Sequence, residues 1–307
     1  MTFPGAHRNI PGPGSIRRKR ILWQHLWLRL LLAAAVTGAG ACLADDTRPL
    51  IFGVFPYLPA AQLEKLYAPV AADLSSATGH EVQLRTRPSF SQFREELERQ
   101  HYDLIFIQPI AYAQVASRNG YRAIARPEQA LKAVFVVRTD SEIQNLDDLR
   151  GSTLALPPRQ AAVTVLARQT LAAQGLIPGT DLRLTYQNNH AACLRTVLIR
   201  KASACVTAPP PLQIFSQRTG VQFRTLAYSE PIPGSTYAVH DRLPPELRSA
   251  IAERIVSWRN TETGKTLLRS LQFSAFVDSS DEDYRGVRDI LASERNSAGG
   301  DLSDVAQ

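Results

Sequence analysis

The sequence predicts an α/β protein of two lobes, each built around a mixed, mostly parallel sheet, with the chain crossing twice between them. Short apolar runs of strand length alternate with amphipathic helical segments, which is typical of parallel strands joined by helical crossovers. The 307 residues, 44% of them hydrophobic, suffice for two cores of ordinary domain size. A strand–turn–strand passage near the middle of the chain indicates where the first core gives way to the second.

That passage covers residues 134–160, with the sequence VFVVRTDSEIQNLDDLRGSTLALPPRQ. A β-branched strand is followed by a polar turn ending at Gly151, then by a second strand at 153–156 and a loop that opens a helix. A chain commonly leaves one α/β unit for the next in this way. We therefore expect lobe I to contain 45–137 and 238–295, lobe II to contain 138–237, and hinges near 138–140 and 233–237.

Residues 1–44 have the features of a secretory signal peptide. A basic region at 17–20 precedes an apolar run at 30–40, and small residues lead up to Ala44. The apolar run is too short to span a bilayer comfortably, and the pattern suits cleavage near Ala44. We expect an exported, periplasmic protein; a retained membrane anchor and a lipid anchor at Cys42 are the alternatives.

The basic character of the chain comes mainly from this leader. The formal net charge is +7, but residues 1–44 hold six Lys or Arg and no Asp or Glu, so the rest of the chain has 29 basic against 28 acidic residues. A nearly neutral body lacks the electrostatic footprint of a nucleic-acid-binding protein. We expect no nucleic-acid partner.

Lobe I is expected to begin with three strand–helix units. Its predicted strands are either apolar runs or segments in which apolar residues alternate with polar ones. Its predicted helices carry apolar residues at helical spacing, as Leu63, Tyr67 and Val70 do. The predicted strands lie at 50–55, 81–87, 102–107 and 121–125, and the predicted helices at 61–77, 89–99 and 110–117.

Lobe II repeats the alternation before the chain returns. Strands are expected at 153–156, 182–187, 203–207 and 221–228, and helices at 161–174, 190–199 and 212–218. Residues 235–240 form the expected return crossing, and helices at 244–258, 263–271 and 283–292 should pack on lobe I. The small and polar residues 296–307 predict a disordered tail.

Cleavage near Ala44 would leave two cysteines, Cys193 and Cys205. In an oxidising compartment they could form a disulfide that stabilises the fold by about 3 kcal/mol. The alternative is a pair of buried thiols that pack as small hydrophobic groups. No His/Cys cluster has zinc spacing, and we expect neither a metal nor a cofactor.

The order of elements resembles the type II periplasmic substrate-binding proteins, in particular the family that binds phosphate, phosphite or phosphonate for ABC transporters. The resemblance covers about 48–295, and its matching residues are 52–56, 102–106, 141–143, 146–151, 189–190 and 231–234. It implies a cleft that binds a small anionic solute and a permease partner in the inner membrane. Where phosphonate-binding members have a Ser-Thr-Ser-Gly type loop, this chain has PPRQAA at 157–162.

Candidate ligand-binding residues follow from the position of strand ends. Ligands of open α/β sheets lie beyond the carboxyl ends of the strands, where loops lead into helix N-termini. This rule selects Tyr57, Gln108, Arg159, Gln160, His190 and Thr207, and Tyr112 is added as a cleft aromatic. The helix start beside Arg159 suits an anion. Each has a structural alternative: Arg159 as a solvated helix-start residue, His190 as a helix cap, and the tyrosines as packing residues.

The resulting functional hypothesis is a monomeric solute-binding component of an ABC importer. The alternative is a periplasmic sensor that passes ligand occupancy to a membrane kinase or receptor. An enzyme is not expected, because no nucleophile partner for His190, no phosphate loop and no metal-ligand cluster stand out. An exported hydrolase is the third and weakest hypothesis.

Overall fold

The computed structural model describes residues 1–2 and 48–297. The predicted signal peptide and its cleavage site therefore lie outside the described residues, apart from Met1 and Thr2. The predicted tail also lies outside from residue 298 onward. Residues 296–297 were assigned to that tail, but they belong to the last helix, which runs to Ser297.

A six-stranded sheet forms the core of the first half of the molecule. Its strands, numbered in chain order, are β1 (Leu50–Val54), β2 (Val82–Arg85), β3 (Leu104–Ile107), β4 (Tyr121–Pro127), β10 (Thr236–His240) and β11 (Phe276–Asp278). The order across the sheet is β11-β4-β10-β3-β1-β2. β10 lies antiparallel between β3 and β4, whereas β1 pairs in parallel with β2 and β3.

A five-stranded sheet forms the core of the second half. Its strands are β5 (Val134–Arg138), β6 (Thr153–Leu156), β7 (Arg183–Tyr186), β8 (Ala204–Thr207) and β9 (Phe223–Tyr228), in the order β7-β6-β8-β5-β9. Here β5 is the inserted strand, antiparallel to both β8 and β9. The predicted α/β class with two mixed sheets is confirmed. Most strands of each sheet run in one direction. The inserted strand, β10 in the first sheet and β5 in the second, is antiparallel to both of its neighbours.

Helices cover both sheets. Those of the first half are α1 (Ala60–Thr78), α2 (Phe90–Glu98), α3 (Pro109–Gln114), α7 (Pro245–Ser257), α8 (Glu262–Leu271) and α9 (Arg285–Ser297), and those of the second half are α4 (Ala162–Ala173), α5 (His190–Leu198) and α6 (Pro209–Thr219). The three C-terminal helices pack on the first half as predicted, since α7 and α8 contact α1 and α9 contacts α3.

Two segments connect the halves, and the first crosses earlier than the sequence indicated. Residues up to 137 were assigned to lobe I, but β5 pairs only with strands of the second sheet, so the crossing lies at 128–133. The assignment failed because the pairing partners of β5 follow it by about seventy residues or more. The crossing segments pair with each other: the N–H of Leu131 donates to Ile232 O at 2.8 Å, and the return bond is 2.9 Å.

The inserted strand β5 is buried on both of its faces. Phe135 and Val137 pack into the large core that extends through both halves, whereas Val134 and Val136 face a smaller cluster beneath α5 and α6. Alternation along a strand places successive side chains on opposite faces. A continuous β-branched run is therefore what this position requires.

A disulfide joins Cys193 on α5 to Cys205 on β8, with a Cα–Cα distance of 5.8 Å. Both residues are fully buried in the smaller cluster. Of the two alternatives that the sequence left open, the structure supports the bonded pair. The bond fixes the helix that begins at His190 against the strand that ends at Thr207.

Candidate functional site

A cavity of about 250 Å³ lies between the two sheets. Both halves line it, and so do the two crossing segments, through residues such as Leu131 and Gly234. At roughly 30 Å³ for a water molecule in the liquid, this is space for about eight waters or one small organic molecule. A pocket at the junction of two α/β units is where such folds commonly bind ligands.

Aromatic rings form one wall of the cavity. Phe55 stacks on Tyr57 with ring centroids 4.8 Å apart and contacts Phe106 at 5.8 Å and Phe90 at 6.0 Å. Phe273 continues the wall from the C-terminal region, 6.2 Å from Phe106. Tyr57 is 4% exposed, and its hydroxyl is 3.1 Å from that of Tyr67. Burial raises the pKa of Tyr57 above its usual range, so its hydroxyl stays protonated.

His190 is the most buried polar side chain of the second half that lines the cavity, at 5% exposure. Asn189 caps its helix by accepting the N–H of Ala192 at 2.9 Å, so the imidazole is not needed as a cap. Its Nδ1 shares a hydrogen bond of 2.9 Å with the hydroxyl of Thr207, and Nε2 has no bond to another described residue. Burial lowers the pKa of His190 to about 3, so the ring is neutral at neutral pH.

Three polar contacts join the halves around the cavity. Gln108 donates its amide to Gln160 O at 2.9 Å, and its own carbonyl oxygen accepts the N–H of Ile110 at 3.0 Å. The N–H of His190 donates to Tyr57 O at 3.3 Å. The side chains of Gln217 and Gln272 bond reciprocally at 3.3 and 3.2 Å. All three contacts are between uncharged groups.

The residues predicted from strand ends separate into two groups. Tyr57, Gln108 and His190 line the cavity, and Thr207 lies directly behind His190. Gln160 contributes a main-chain carbonyl to the Gln108 contact, while its side chain is exposed. The structure brings these five residues together.

Tyr112 and Arg159 do not line the cavity. The Tyr112 hydroxyl donates to Asp281 and accepts the N–H of Ala123 at 2.8 Å, which holds the ring in the first-half core. The Arg159 guanidinium lies over the Tyr186 ring at 4.1 Å, in a separate open groove of about 590 Å³. That groove also holds Arg168 and Arg183. The position of Arg159 after a strand end did not predict the direction of its side chain.

Several lining residues were missed by sequence reasoning. Apart from Tyr57, the aromatic wall was interpreted as core or passed over, because a cavity-facing phenylalanine has the same pattern as a buried one. The apolar start of α6 could have been predicted from the sequence, because three prolines follow a strand end. All three, Pro209, Pro210 and Pro211, line the cavity. Gln272 had no local signal, since α8 carries it there from far along the chain.

Among the residues that line the cavity there is no Asp, Glu, Lys or Arg. Within the described part of the chain, no group of three His, Cys, Asp or Glu side chains is placed to hold a metal ion. No helix of that part combines the length and apolar character needed to cross a bilayer. The chemistry available at the cavity is therefore packing and hydrogen bonding.

Two sheets that each receive one inserted antiparallel strand from a crossing segment are the arrangement of type II periplasmic binding proteins, and this chain is of that class. Within the class, it belongs to the family described as ABC transporter, phosphonate, periplasmic substrate-binding protein, whose sequence profile matches residues 52–284. The resemblance stated from the sequence is confirmed. Members of this family are solute-binding components of transporters and not enzymes.

Solved structures share this fold at low sequence identity. A binding protein component of an ABC phosphonate transporter from Pseudomonas aeruginosa is 16% identical, with a TM-score of 0.74 over 84% of this chain and 90% of that one. PhnD1 from Prochlorococcus marinus, solved with methylphosphonate, is 14% identical, with a TM-score of 0.71 over 81% and 99%. A histidine kinase sensor domain is 19% identical, with a TM-score of 0.53 over 76% and 100%. No curated protein sequence matches the chain.

Proposed function

We propose that the chain binds one small solute in the cavity between its halves and delivers it to an ABC permease. The observation that carries the proposal is a cavity lined from both halves, with bonds from Gln108, His190 and Gln217 spanning the gap beside it. Such bonds exist only when the halves are together, so a solute that fills the space between them favours the closed form. The residues proposed to contact it are Tyr57, Gln108 and His190, with Thr207 orienting the imidazole.

The anionic solute expected from the sequence has partial support. At the start of α4, Ala162 and Val163 line the cavity, and no hydrogen bond from their N–H groups to another described residue is present. A helix N-terminus of this kind favours negative charge. Arg159 adds nothing, because its guanidinium lies in the other groove.

Filling the cavity tests the proposal. Ala162 is 3% exposed and lines the cavity, so Ala162→Trp should remove the space, whereas Ala172→Trp changes an exposed position of the same helix. Calorimetric titration with methylphosphonate, phosphate, benzoate and benzamide should find at least one solute that binds the wild type. Its affinity should fall by about a hundredfold or more in Ala162→Trp and stay unchanged in Ala172→Trp. Binding that survives Ala162→Trp would place the solute elsewhere.

The sensor alternative uses the same solute site and differs only in the partner. The fold shared with a histidine kinase sensor domain keeps it open. A permease and an ATPase gene beside this one would favour transport, and a histidine kinase gene would favour sensing.

A further inference from the structure

The walls of the cavity are mainly apolar. Rings of Phe55, Tyr57, Phe106 and Phe273 face the alanine and valine side chains at the start of α4 and the prolines at the start of α6. Flat apolar surfaces of this kind pack best against another ring. An apolar cavity of about 150 Å³ is already large enough to hold benzene, so 250 Å³ leaves room for a ring with one small substituent.

Three of the helix starts around the cavity are poorly equipped to hold an anion. Pro209, Pro210 and Pro211 occupy the first turn of α6 and have no N–H, and the next N–H, of Leu212, donates to Ala208 O at 3.1 Å. α3 begins at Pro109, and its Ile110 N–H is taken by Gln108. At α5, Asn189 occupies the Ala192 N–H, and the N–H of His190 donates to Tyr57 O. These three helix starts therefore offer few free N–H groups to an anion in the cavity.

Nor does any side chain supply a compensating charge. The lining residues include no Lys or Arg, and His190 is held neutral by burial. A dianion placed here would give up its hydration shell without meeting a charged side chain in the cavity lining, which is unfavourable because buried charges need partners.

Two of the polar groups in the lining, on His190 and Ser235, are available to orient a solute. Nε2 of His190 belongs to a side chain that is 5% exposed, lines the cavity and bonds to Thr207 only through Nδ1. The Ser235 hydroxyl on the second crossing segment also lines the cavity and makes no hydrogen bond to another described residue. A neutral imidazole and a hydroxyl match a neutral polar substituent such as an amide or a hydroxyl.

From these observations we propose that the cavity selects a neutral, ring-bearing organic solute with one small polar substituent, and discriminates against phosphonate-like dianions. The proposal rests on the proposed function, since it assigns a ligand class to the same cavity. It differs from what the fold family alone suggests because α6 begins with three prolines where an anion site needs N–H donors.

A matched series of probes tests the charge preference. Benzamide, benzoate and phenylphosphonate share one ring and differ in charge, and methylphosphonate supplies the dianion without the ring. Calorimetric titration of the full chain should rank benzamide first and benzoate second, with phenylphosphonate about a hundredfold weaker than benzamide. Equal or tighter binding of either phosphonate overturns the proposal. So does an absence of benzamide binding at millimolar concentration, because an apolar cavity of this size should accept a neutral ring that fits.

The Ala162→Trp variant separates this proposal from the proposed function. If methylphosphonate binds the wild type and Ala162→Trp abolishes that binding, the cavity is the solute site and only the ligand class is wrong. If benzamide binds and Ala162→Trp leaves its affinity unchanged, the site itself is wrong and both proposals fail.

A second variant tests the role of the prolines. Pro210→Ala restores one N–H at the start of α6, and this should raise the affinity for phenylphosphonate by about tenfold, because a hydrogen bond to a charged group is stronger than one to a neutral group. The affinity for benzamide should stay the same. Pro245→Ala is the control, since it makes the same change at the exposed start of α7. If Pro210→Ala gains no more affinity for phenylphosphonate than this control does, the proposed role of the prolines in rejecting anions is overturned.

Discussion

The first half of the molecule buries charge and the second half does not. In the first half, Asp73 is 7% exposed and accepts bonds from Arg254 at 2.9 Å and from Trp258 at 2.8 Å. Asp103 is fully buried between Arg48 and Arg242. In the second half, residues 134–228 bury no Asp, Glu, Lys or Arg, and a disulfide ties α5 to β8.

The difference shows which partners accompany a buried carboxylate in this chain. Although burial alone would favour the neutral acid, hydrogen bonds from Arg48, Ile51 and Arg242 hold the pKa of Asp103 below its usual value. Each buried carboxylate has its own arginine partner. The cavity between the halves resembles the second half, because its lining contains no charged side chain. A solute with two negative charges would therefore enter a site without the arginine partners that the buried carboxylates have.

The largest effect is expected from breaking a buried ion pair of the first half. Arg254→Met leaves Asp73 buried with the indole N–H of Trp258 donating to it at 2.8 Å, and removing one member of such a pair costs about 3 to 5 kcal/mol. Urea unfolding should measure the loss, while benzamide affinity stays unchanged. Arg94→Met is the control, because the Arg94–Glu98 pair is exposed and should contribute less than about 1 kcal/mol. Equal effects of the two variants would contradict the contrast between buried and exposed pairs.

The second half should depend on its disulfide to a slightly smaller degree. Loop closure of this length corresponds to about 3 kcal/mol, so the Cys193→Ala/Cys205→Ala variant should unfold at lower urea concentration. Treating the wild type with a reductant provides the matched comparison: it should approach the stability of the variant, and the variant should not respond. If a reductant left the urea unfolding of the wild type unchanged, that result would argue against the disulfide.

His190 should make stability depend on pH. Its pKa is about 3 in the folded chain and about 6.5 in an unfolded one, so the unfolded state binds the proton first and stability falls as the pH drops below 6.5. The contribution amounts to about 2 kcal/mol between pH 7 and pH 5. His190→Gln should remove that part of the pH dependence, whereas His80→Gln, at a residue outside the cavity lining, should leave it. Parallel pH profiles for wild type and His190→Gln would refute the burial argument.

The contact between Gln217 and Gln272, which joins the halves, should have a small effect on solute release. Gln217→Ala removes two neutral hydrogen bonds between the halves, which together correspond to roughly 1 kcal/mol. The dissociation rate of benzamide should rise about fivefold in stopped-flow measurements. Gln144→Ala, at an exposed position of the second half, should release benzamide at the wild-type rate.

The smallest effect is expected at Arg159. Since its guanidinium stacks on Tyr186 in the separate groove, Arg159→Ala should leave the affinities for benzamide and phenylphosphonate unchanged in calorimetric titration. A loss of phenylphosphonate affinity alone would mean that Arg159 turns toward the cavity when an anion binds.

Much of the architecture was accessible from the sequence because it depends on local patterns. Alternating apolar runs and helical spacing gave nearly all strands and helices, and the matching motifs gave the family. The placement of β5 was missed because a strand's sheet is decided by distant partners. Strand ends selected loops that meet at the cavity, but the directions of Tyr112 and Arg159 depend on Asp281 and Tyr186, which lie elsewhere in the sequence. Phe55 and Phe273 could not be distinguished from core residues by their spacing.

Backbone hydrogen exchange with and without benzamide would show whether both halves contact one solute. If one solute lies between the two sheets, exchange should slow together at 55–57 in the first half and at 161–165 and 189–193 in the second, where the cavity is lined from both sides. Protection confined to one half, or to the groove around 151–153 and 178–186, would contradict the account.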